Sequence, residues 1–288
     1  MIDHDSASLL PPLSGLAPEE KALRAGSFGE VASNYERFRP GPLLAAVDWL
    51  LLTHVGTVVD LGAGTGALTR LLMDRADEVV AVEPDDRMRS VLTDEVPGVR
   101  VVKGRGESIP LPDGGADAVL ASSSWHWMEP VGTLHEVGRV LVPGGVLGAL
   151  WSGPDPEGPF LVQAQALLAE QASGPVEDVP GGSDERPNEY PGLIMGDALR
   201  ISPTLEIPPG VPFDQPEHEV FTWDIALNAD ELIGLLGTMS SMITLPEETR
   251  HGVFAEARRL LRDLLNVEGE VTVDVRFRSE VWRTRRHD

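Results

Sequence analysis

The stretch T-V-V-D-L-G-A-G-T-G, from Thr57 to Gly66, decides the fold of this chain. It opens with Val58 and Val59, an apolar pair typical of a buried strand, and then breaks into glycines at positions 62, 64 and 66. Apolar residues recur at helical spacing from Ala67 onward. A strand, a tight glycine turn and a helix begin a βαβ unit, and such a turn lets a nucleotide-like ligand approach the backbone closely.

The glycine spacing and the acid before it indicate the charge of that ligand. The pattern is G-x-G-x-G, whereas the dinucleotide fingerprint is G-x-G-x-x-G. A pyrophosphate binds well at a helix N-terminus, but Asp60, two residues before Gly62, places a carboxylate beside the loop. This arrangement favours a ligand with a positively charged end.

A second acid follows the next apolar run, E-V-V-A-V-E from Glu78 to Glu83, which predicts a strand that Pro84 terminates. Glu83 lies about 20 residues past the glycine loop, where an acid accepts hydrogen bonds from ribose hydroxyls. This geometry is common to several nucleoside cofactors, so Glu83 predicts a ribose without choosing among them. In the helix that follows, Met88 faces inward, where the core or an adenine would contact it.

Composition narrows the function classes. The chain has 288 residues, 42% of them hydrophobic, which is enough for a sizeable core. It has no cysteine, no apolar run of about 20 residues and no basic leader, so we expect a cytoplasmic protein without a membrane span. A net charge of −23 argues against nucleic acid and membrane as partners. No metal-ligand spacing is present, and we predict no metal.

The remaining patterns complete an α/β fold. Further strands are predicted at residues 99–103, 116–122, 146–151, 219–223 and 271–277. We therefore expect a Rossmann-like, seven-stranded, mostly parallel sheet with helices on both faces and an antiparallel hairpin at its C-terminal edge. In this scheme 271–277 is the edge strand and the arginine-containing tail at 283–286 is solvated.

These motifs together resemble those of the class I S-adenosylmethionine (SAM) methyltransferases, over roughly residues 28–151. The L-x-P-G-G turn from Leu141 to Gly145 adds to the resemblance. One departure is Arg105, where many members carry an Asp that holds the adenine amino group; the backbone of Gly106 and Glu107 would replace that contact. The resemblance implies SAM as cofactor, S-adenosylhomocysteine (SAH) as its product, and a cofactor site formed by Tyr35, Arg39, Asp60, Gly62, Ala63, Gly64, Gly66, Glu83, Pro84, Met88, Gly106, Glu107, Ser122, Ser123 and Trp127.

The acceptor site is predicted beside S-S-W-H-W-M, residues 123–128, which follow the fourth strand at the carboxyl end of the sheet. His126 is our candidate catalytic residue, since an imidazole can accept a proton near neutrality. The alternative is a hydrogen-bonded histidine that orients this loop. We expect Trp125, Trp127, Tyr190 and Phe213 to contact substrate.

We expect the chain to have four parts. Residues 1–54 form an N-terminal arm and lid helices, of which Tyr35 and Arg39 would lie near the methionine end of the cofactor. Residues 55–153 form the SAM-binding core. Residues 154–216, rich in Pro and Gly, form an insertion over the acceptor pocket, and residues 217–288 complete the core sheet.

The expected activity is methyl transfer from SAM to an O, N or C atom of a small molecule in specialised metabolism. Two alternatives stay open: a protein that binds SAM without methylating, acting as a cyclase or scaffold, and an NAD-dependent oxidoreductase. The sequence leaves open the acceptor, and it leaves open whether the protein is a monomer or a homodimer.

Overall fold

The computed structural model describes residue 38 and residues 40–172, 204–243 and 245–287. Three of the predicted site residues, Tyr35, Arg39 and Tyr190, lie outside the described residues, as does most of the predicted N-terminal arm.

A seven-stranded sheet runs through the described part of the chain. Its strands are β1 Val55–Leu61, β2 Ala76–Val82, β3 Arg100–Val102, β4 Ala116–Ser122, β5 Leu141–Pro154, β6 Glu217–Asn228 and β7 Thr272–Arg285. The helices are α1 Leu44–Leu50, α2 Ala67–Leu72, α3 Asp86–Glu95, α4 Pro130–Val140, α5 Pro159–Ala172, α6 Ala229–Gly237, α7 Ser240–Ile243 and α8 Glu247–Leu265.

The strand order is β3-β2-β1-β4-β5-β7-β6. Strands β1 to β5 pair in parallel, while β7 is antiparallel to both of its neighbours. The predicted Rossmann-like sheet, mostly parallel with antiparallel C-terminal strands, is confirmed. The order reverses between β1 and β4, and ligands bind open α/β sheets in the crevice at the carboxyl ends of strands around such a switch point.

The last strand differs from the expectation. It spans 14 residues and lies between β5 and β6, so β6 forms the edge and the edge position predicted for 271–277 is wrong. The arginines of β7, including those of the tail predicted to be solvated, form cross-strand and backbone contacts. Arg276 pairs with Asp224 on β6, and Arg283 pairs with Glu217 and lies 4.2 Å above the ring of Trp49. The predicted solvated tail is therefore part of the sheet.

Two apolar layers cover the faces of the sheet. The layer on the α1 and α2 side includes Ala46, Val47, Leu50, Leu68, Leu72, Leu120 and Leu150. The layer on the α4 side includes Val59, Val82, Leu134, Val137, Leu147, Trp151, Leu205, Val211 and Phe213. Residues 205, 211 and 213, at the end of the predicted 154–216 insertion, thus pack in the core.

A third apolar cluster lies where β6 and β7 continue past β5. Phe277 pairs with Pro154, the last residue of β5, and the two long strands remain paired beyond it as far as Asn228 and Thr272. Helices α5 to α8 pack on this extension, through residues that include Phe160, Leu161, Ile233, Leu236, Met242, Val253, Leu261 and Phe277. The side chain of Phe38 contacts α6 at Gly234. A helical layer therefore stands beside the carboxyl edge of the sheet.

None of the helices in the described ranges has the length and apolar composition needed to cross a membrane.

Candidate functional site

The glycine loop follows β1 at the carboxyl edge of the sheet. Strand β2 anchors it, since the backbone N–H groups of Gly62 and Ala63 donate to the carbonyl oxygen of Val82, at 2.8 and 3.1 Å. Gly62, Gly64 and Gly66 have φ angles of 71°, 58° and 95°. These left-handed values favour glycine, so the three glycines are required by the backbone path.

The space around the three glycines differs. A Cβ at Gly62 would lie 2.6 Å from the Cβ of Ser124, and one at Gly66 would lie 3.0 Å from Val96, so both glycines pack against the protein. At Gly64, in contrast, no heavy atom of the described residues lies within 4 Å of the Cβ position. Gly64 is therefore the point at which a ligand can approach the loop most closely.

Glu83 directly follows β2, and its carboxylate accepts hydrogen bonds from the glycine loop and from the start of α3. Its Oε2 accepts from the Gly64 N–H and its Oε1 from the Asp85 N–H, each at 2.9 Å. The residue is only 7% exposed. Burial raises the pKa of Glu83, while these two backbone hydrogen bonds oppose the rise. Because a carboxylate has about four lone-pair positions, each oxygen has one position left beyond these two hydrogen bonds to described residues.

Asp60, the penultimate residue of β1, lies fully buried beneath the loop. The hydroxyl of Thr69 on α2 donates to its Oδ2 at 2.6 Å, but its Oδ1 has no hydrogen-bond partner among the described residues. Burial raises the pKa of Asp60 to about 7; the Thr69 hydrogen bond lowers it, and the charge of Glu83 raises it further. An unpaired buried carboxylate oxygen costs stability, so this side chain is suited to a cationic partner.

The residues predicted to border adenine lie after β2, on α3 and beside α4. Met88 is buried on α3, and Pro84 is exposed next to Glu83. Gly106 is buried against α4, where a Cβ would lie 2.6 Å from the sulfur of Met128 and 2.7 Å from the Thr133 hydroxyl. Glu107 is exposed, and its Oε1 accepts from the Glu129 N–H at 2.7 Å. Gly106 thus packs against Met128 and Thr133, which leave no room for a larger side chain at this position.

The loop after β4 completes the edge. Ser122 and Ser123 are partly exposed, and Ser123 has a φ of 51°, a strained value for a residue other than glycine. Ser124, which the sequence analysis did not single out, donates from its hydroxyl to the Leu61 carbonyl at 2.7 Å. This bond holds the loop against the glycine turn, so the residues that follow are near the site.

His126 and Trp127 lie on the short 3-10 turn Trp125–Trp127, and both are partly exposed. Their ring centroids are 4.7 Å apart. The Nε1–H of Trp151 on β5 donates to the Nδ1 of His126 at 2.9 Å. No sequence pattern predicts this partner, since Trp151 is simply an apolar residue of the fifth predicted strand.

Two of the predicted substrate contacts are placed elsewhere. Trp125 is 5% exposed and belongs to the core on the α4 side. Phe213 belongs to the same core and bridges to Arg286, whose backbone bonds Gly144 and Gly145 at the amino end of β5. The amino end is opposite the glycine loop, so the structure does not bring Phe213 to the site. Both residues were predicted to contact substrate because of their positions in loops, but the structure buries their side chains in the core.

Comparison with known proteins agrees with this fold. Residues 59–149 match a family described as a methyltransferase domain. An uncharacterized methyltransferase of Mycobacterium tuberculosis is 35% identical over 235 residues, which cover 82% of this chain and 85% of the relative. An uncharacterized methyltransferase-like protein of Schizosaccharomyces pombe is 26% identical over 247 residues, covering 84% of this chain and 88% of the relative.

A solved structure shows the same fold. A candidate type II methyltransferase from Anaeromyxobacter dehalogenans superposes with a TM-score of 0.58 at 22% identity, covering 86% of this chain and 98% of the other. The sheet, the acid-flanked glycine loop and the near full-length relatives agree: the chain belongs to the class I SAM-dependent methyltransferase family.

Proposed function

We propose that this protein uses SAM to methylate a small-molecule acceptor. The observation that carries the proposal is the pair of buried carboxylates around the glycine loop, Glu83 bonded to the Gly64 N–H and Asp60 with one oxygen unpaired among the described residues. SAM has a ribose diol and, at its methionine end, an ammonium group. The two carboxylates match these groups in charge and hydrogen-bonding capacity.

The donor set fits SAM at three points. Glu83 would hold the ribose through the lone pairs that Gly64 and Asp85 leave unused. Asp60 would accept from the ammonium group through Oδ1. The open side of Gly64 would let the ligand lie against the backbone. SAM supplies an electrophilic methyl group on a positively charged sulfur; the protein has to bind it, align the acceptor and exclude water.

An oxidoreductase that uses NAD fits less well. A pyrophosphate is stabilised by a helix N-terminus without a competing charge, and here the ionised form of Asp60 would lie beneath the loop that has to hold it. The first turn of α2 carries no acidic residue, so the negative charges beside the loop are those of Asp60 and Glu83. A SAM-binding scaffold would have the same loop, and only product analysis separates it from a methyltransferase.

The test of the activity is a transfer assay with SAM labelled with deuterium in its methyl group. The acceptor probes are small aliphatic and aromatic carboxylic acids, phenols and primary amines. We expect mass spectrometry to show one labelled methyl on at least one probe, with SAH formed in equal amount. SAM binding without any labelled product across the panel would favour the scaffold.

Gly64→Ala tests the proposed path of the cofactor, and Gly98→Ala is its matched control. Both glycines have positive φ, 58° and 91°, and open space at the Cβ position among described residues. Each substitution should therefore lower the free energy of unfolding by a similar amount, about 1–2 kcal/mol for alanine in the left-handed region. Only Gly64→Ala should weaken SAM binding, roughly tenfold or more, in calorimetric titrations. Equal SAM affinity in the two variants would contradict the proposed path.

A further inference from the structure

The hydrogen bond between Trp151 and His126 restricts what the imidazole can do. Trp151 lies in β5 and is 8% exposed within the core, so its indole has little freedom to turn. An indole nitrogen donates and cannot accept. Since its N–H points at the Nδ1 of His126 at 2.9 Å, that nitrogen carries the lone pair.

The neutral imidazole has one N–H and one lone pair. With the lone pair of Nδ1 engaged by Trp151, the proton lies on Nε2. A general base acting through Nε2 would need the other tautomer, in which an Nδ1–H would face the indole N–H. His126 can take up a proton only by giving up the Trp151 bond. The geometry therefore favours His126 as a hydrogen-bond donor rather than as the general base predicted from the sequence.

The position of His126 makes such a donor relevant to the reaction. It is two residues from Ser124, whose hydroxyl bonds the Leu61 carbonyl beside the glycine loop. Trp127 packs against the imidazole at 4.7 Å. Glu280 on β7 is the residue that pairs with Trp151 across the sheet. Its carboxylate is hydrogen-bonded to Arg278 on β7 and to His218 on β6.

We propose that Trp151 is a positioning residue that fixes His126 as the Nε2–H tautomer, so that His126 orients the acceptor by donating a hydrogen bond. The proposal rests on the proposed function. Its consequence is an acceptor that is ionised before it binds. A lone pair of the anionic acceptor forms the new bond to the methyl carbon, the bond between sulfur and that carbon breaks, and its electron pair stays on sulfur. No proton is released, so the step needs no base.

The first test reads the tautomer directly and requires no acceptor. Histidine is labelled with ¹⁵N in the full chain, and long-range ¹H–¹⁵N spectra are recorded near neutral pH, with His126→Ala to assign the signals. We expect an unprotonated Nδ1 and a protonated Nε2 at His126, and a mixture of tautomers in Trp151→Phe. A protonated Nδ1 in the wild type, or an unchanged tautomer in Trp151→Phe, would overturn the proposal.

The second test measures turnover on the carboxylic acid and phenol probes at saturating SAM. Trp151→Phe should lower kcat about tenfold, the order expected for one lost hydrogen bond, while KM for SAM changes little. The matched control is Trp49→Phe, because Trp49 packs on the opposite face of the sheet. His126→Asn, which keeps an N–H donor and an acceptor, should retain more activity than His126→Ala.

The pH profile separates the two roles of His126. If His126 were a base, kcat of the wild type would rise with pH and this rise would be absent from His126→Asn. We expect no such difference between the two pH profiles. We also expect turnover only of probes that are ionised at neutral pH. Turnover of un-ionised phenols with such a rise would show that His126 is a base and would overturn the proposal. Failure of SAM to bind would instead refute the proposed function and leave the tautomer result standing by itself.

Discussion

Glu83→Gln is expected to weaken SAM binding between about tenfold and a hundredfold. The substitution keeps the size of the side chain but replaces one carboxylate oxygen with an NH₂ group. That group cannot accept from the Gly64 or the Asp85 N–H, both of which now donate to Glu83 at 2.9 Å. The charge-assisted bonds expected to the ribose are lost as well, and hydrogen bonds to charged groups contribute about 1.5–3 kcal/mol each.

The measurement is a calorimetric titration of each variant with SAM and with SAH. Glu78→Gln is the matched control, since Glu78 lies on β2, the strand that Glu83 directly follows, and is exposed and paired with Arg100 on the surface. It should bind both ligands as the wild type does. If Glu83→Gln retained wild-type affinity, the assignment of Glu83 to the ribose would be wrong.

Asp60→Asn is expected to stabilise the ligand-free protein increasingly as the pH rises. The pKa of Asp60 is raised from an ordinary 3.8 to about 7, chiefly by burial. The unfolded chain therefore releases this proton well before the folded chain does. Its contribution to stability is fully present below about pH 4, is lost as the pH rises, and is gone above about pH 7.

The size of this effect is large for one side chain. Each pKa unit corresponds to about 1.4 kcal/mol, so the ionised, fully buried carboxylate costs on the order of 4 kcal/mol at pH 8 relative to its neutral form. Asparagine stays neutral at every pH. The difference in unfolding free energy between Asp60→Asn and the wild type should therefore grow by up to this amount between pH 4 and pH 8.

Urea unfolding of both proteins at several pH values, without ligand, measures that difference. Asp74→Asn removes the same charge from an exposed position and should change the unfolding free energy by less than about 0.5 kcal/mol throughout. Asp60→Asn should also bind SAM more weakly, because it lacks the charge that would meet the ammonium group. A pH-independent difference between Asp60→Asn and the wild type would contradict the buried, proton-holding state of Asp60.

The sequence predicted the elements whose signals are local. The glycine loop, the acid after β2 and strand β4 at Ala116–Ser122 follow from spacing and apolar runs, and each lies as expected. Strand β7 was predicted too short and at the edge, because the arginines of the tail at 283–286 look solvated in a single sequence. Their partners on β5 and β6 come from residues more than 50 positions away, and only the sheet register identifies them.

Contacts between elements limited the prediction of the site in the same way. The role of Asp60 as a buried carboxylate depends on Thr69 from α2, and the tautomer of His126 depends on Trp151 from β5. Neither partner forms a motif with the residue it bonds. Trp125 was predicted to contact substrate because it lies in the loop after β4. It is instead the buried residue of the turn Trp125–Trp127 and packs in the core, whereas His126 and Trp127 are partly exposed.

The most direct test of the central claim is calorimetric titration of the wild-type protein with SAM, with SAH and with NADH. We expect dissociation constants on the order of micromolar or tighter for SAM or SAH and no binding of NADH. Binding of NADH without binding of either SAM ligand would show that the glycine loop does not hold SAM.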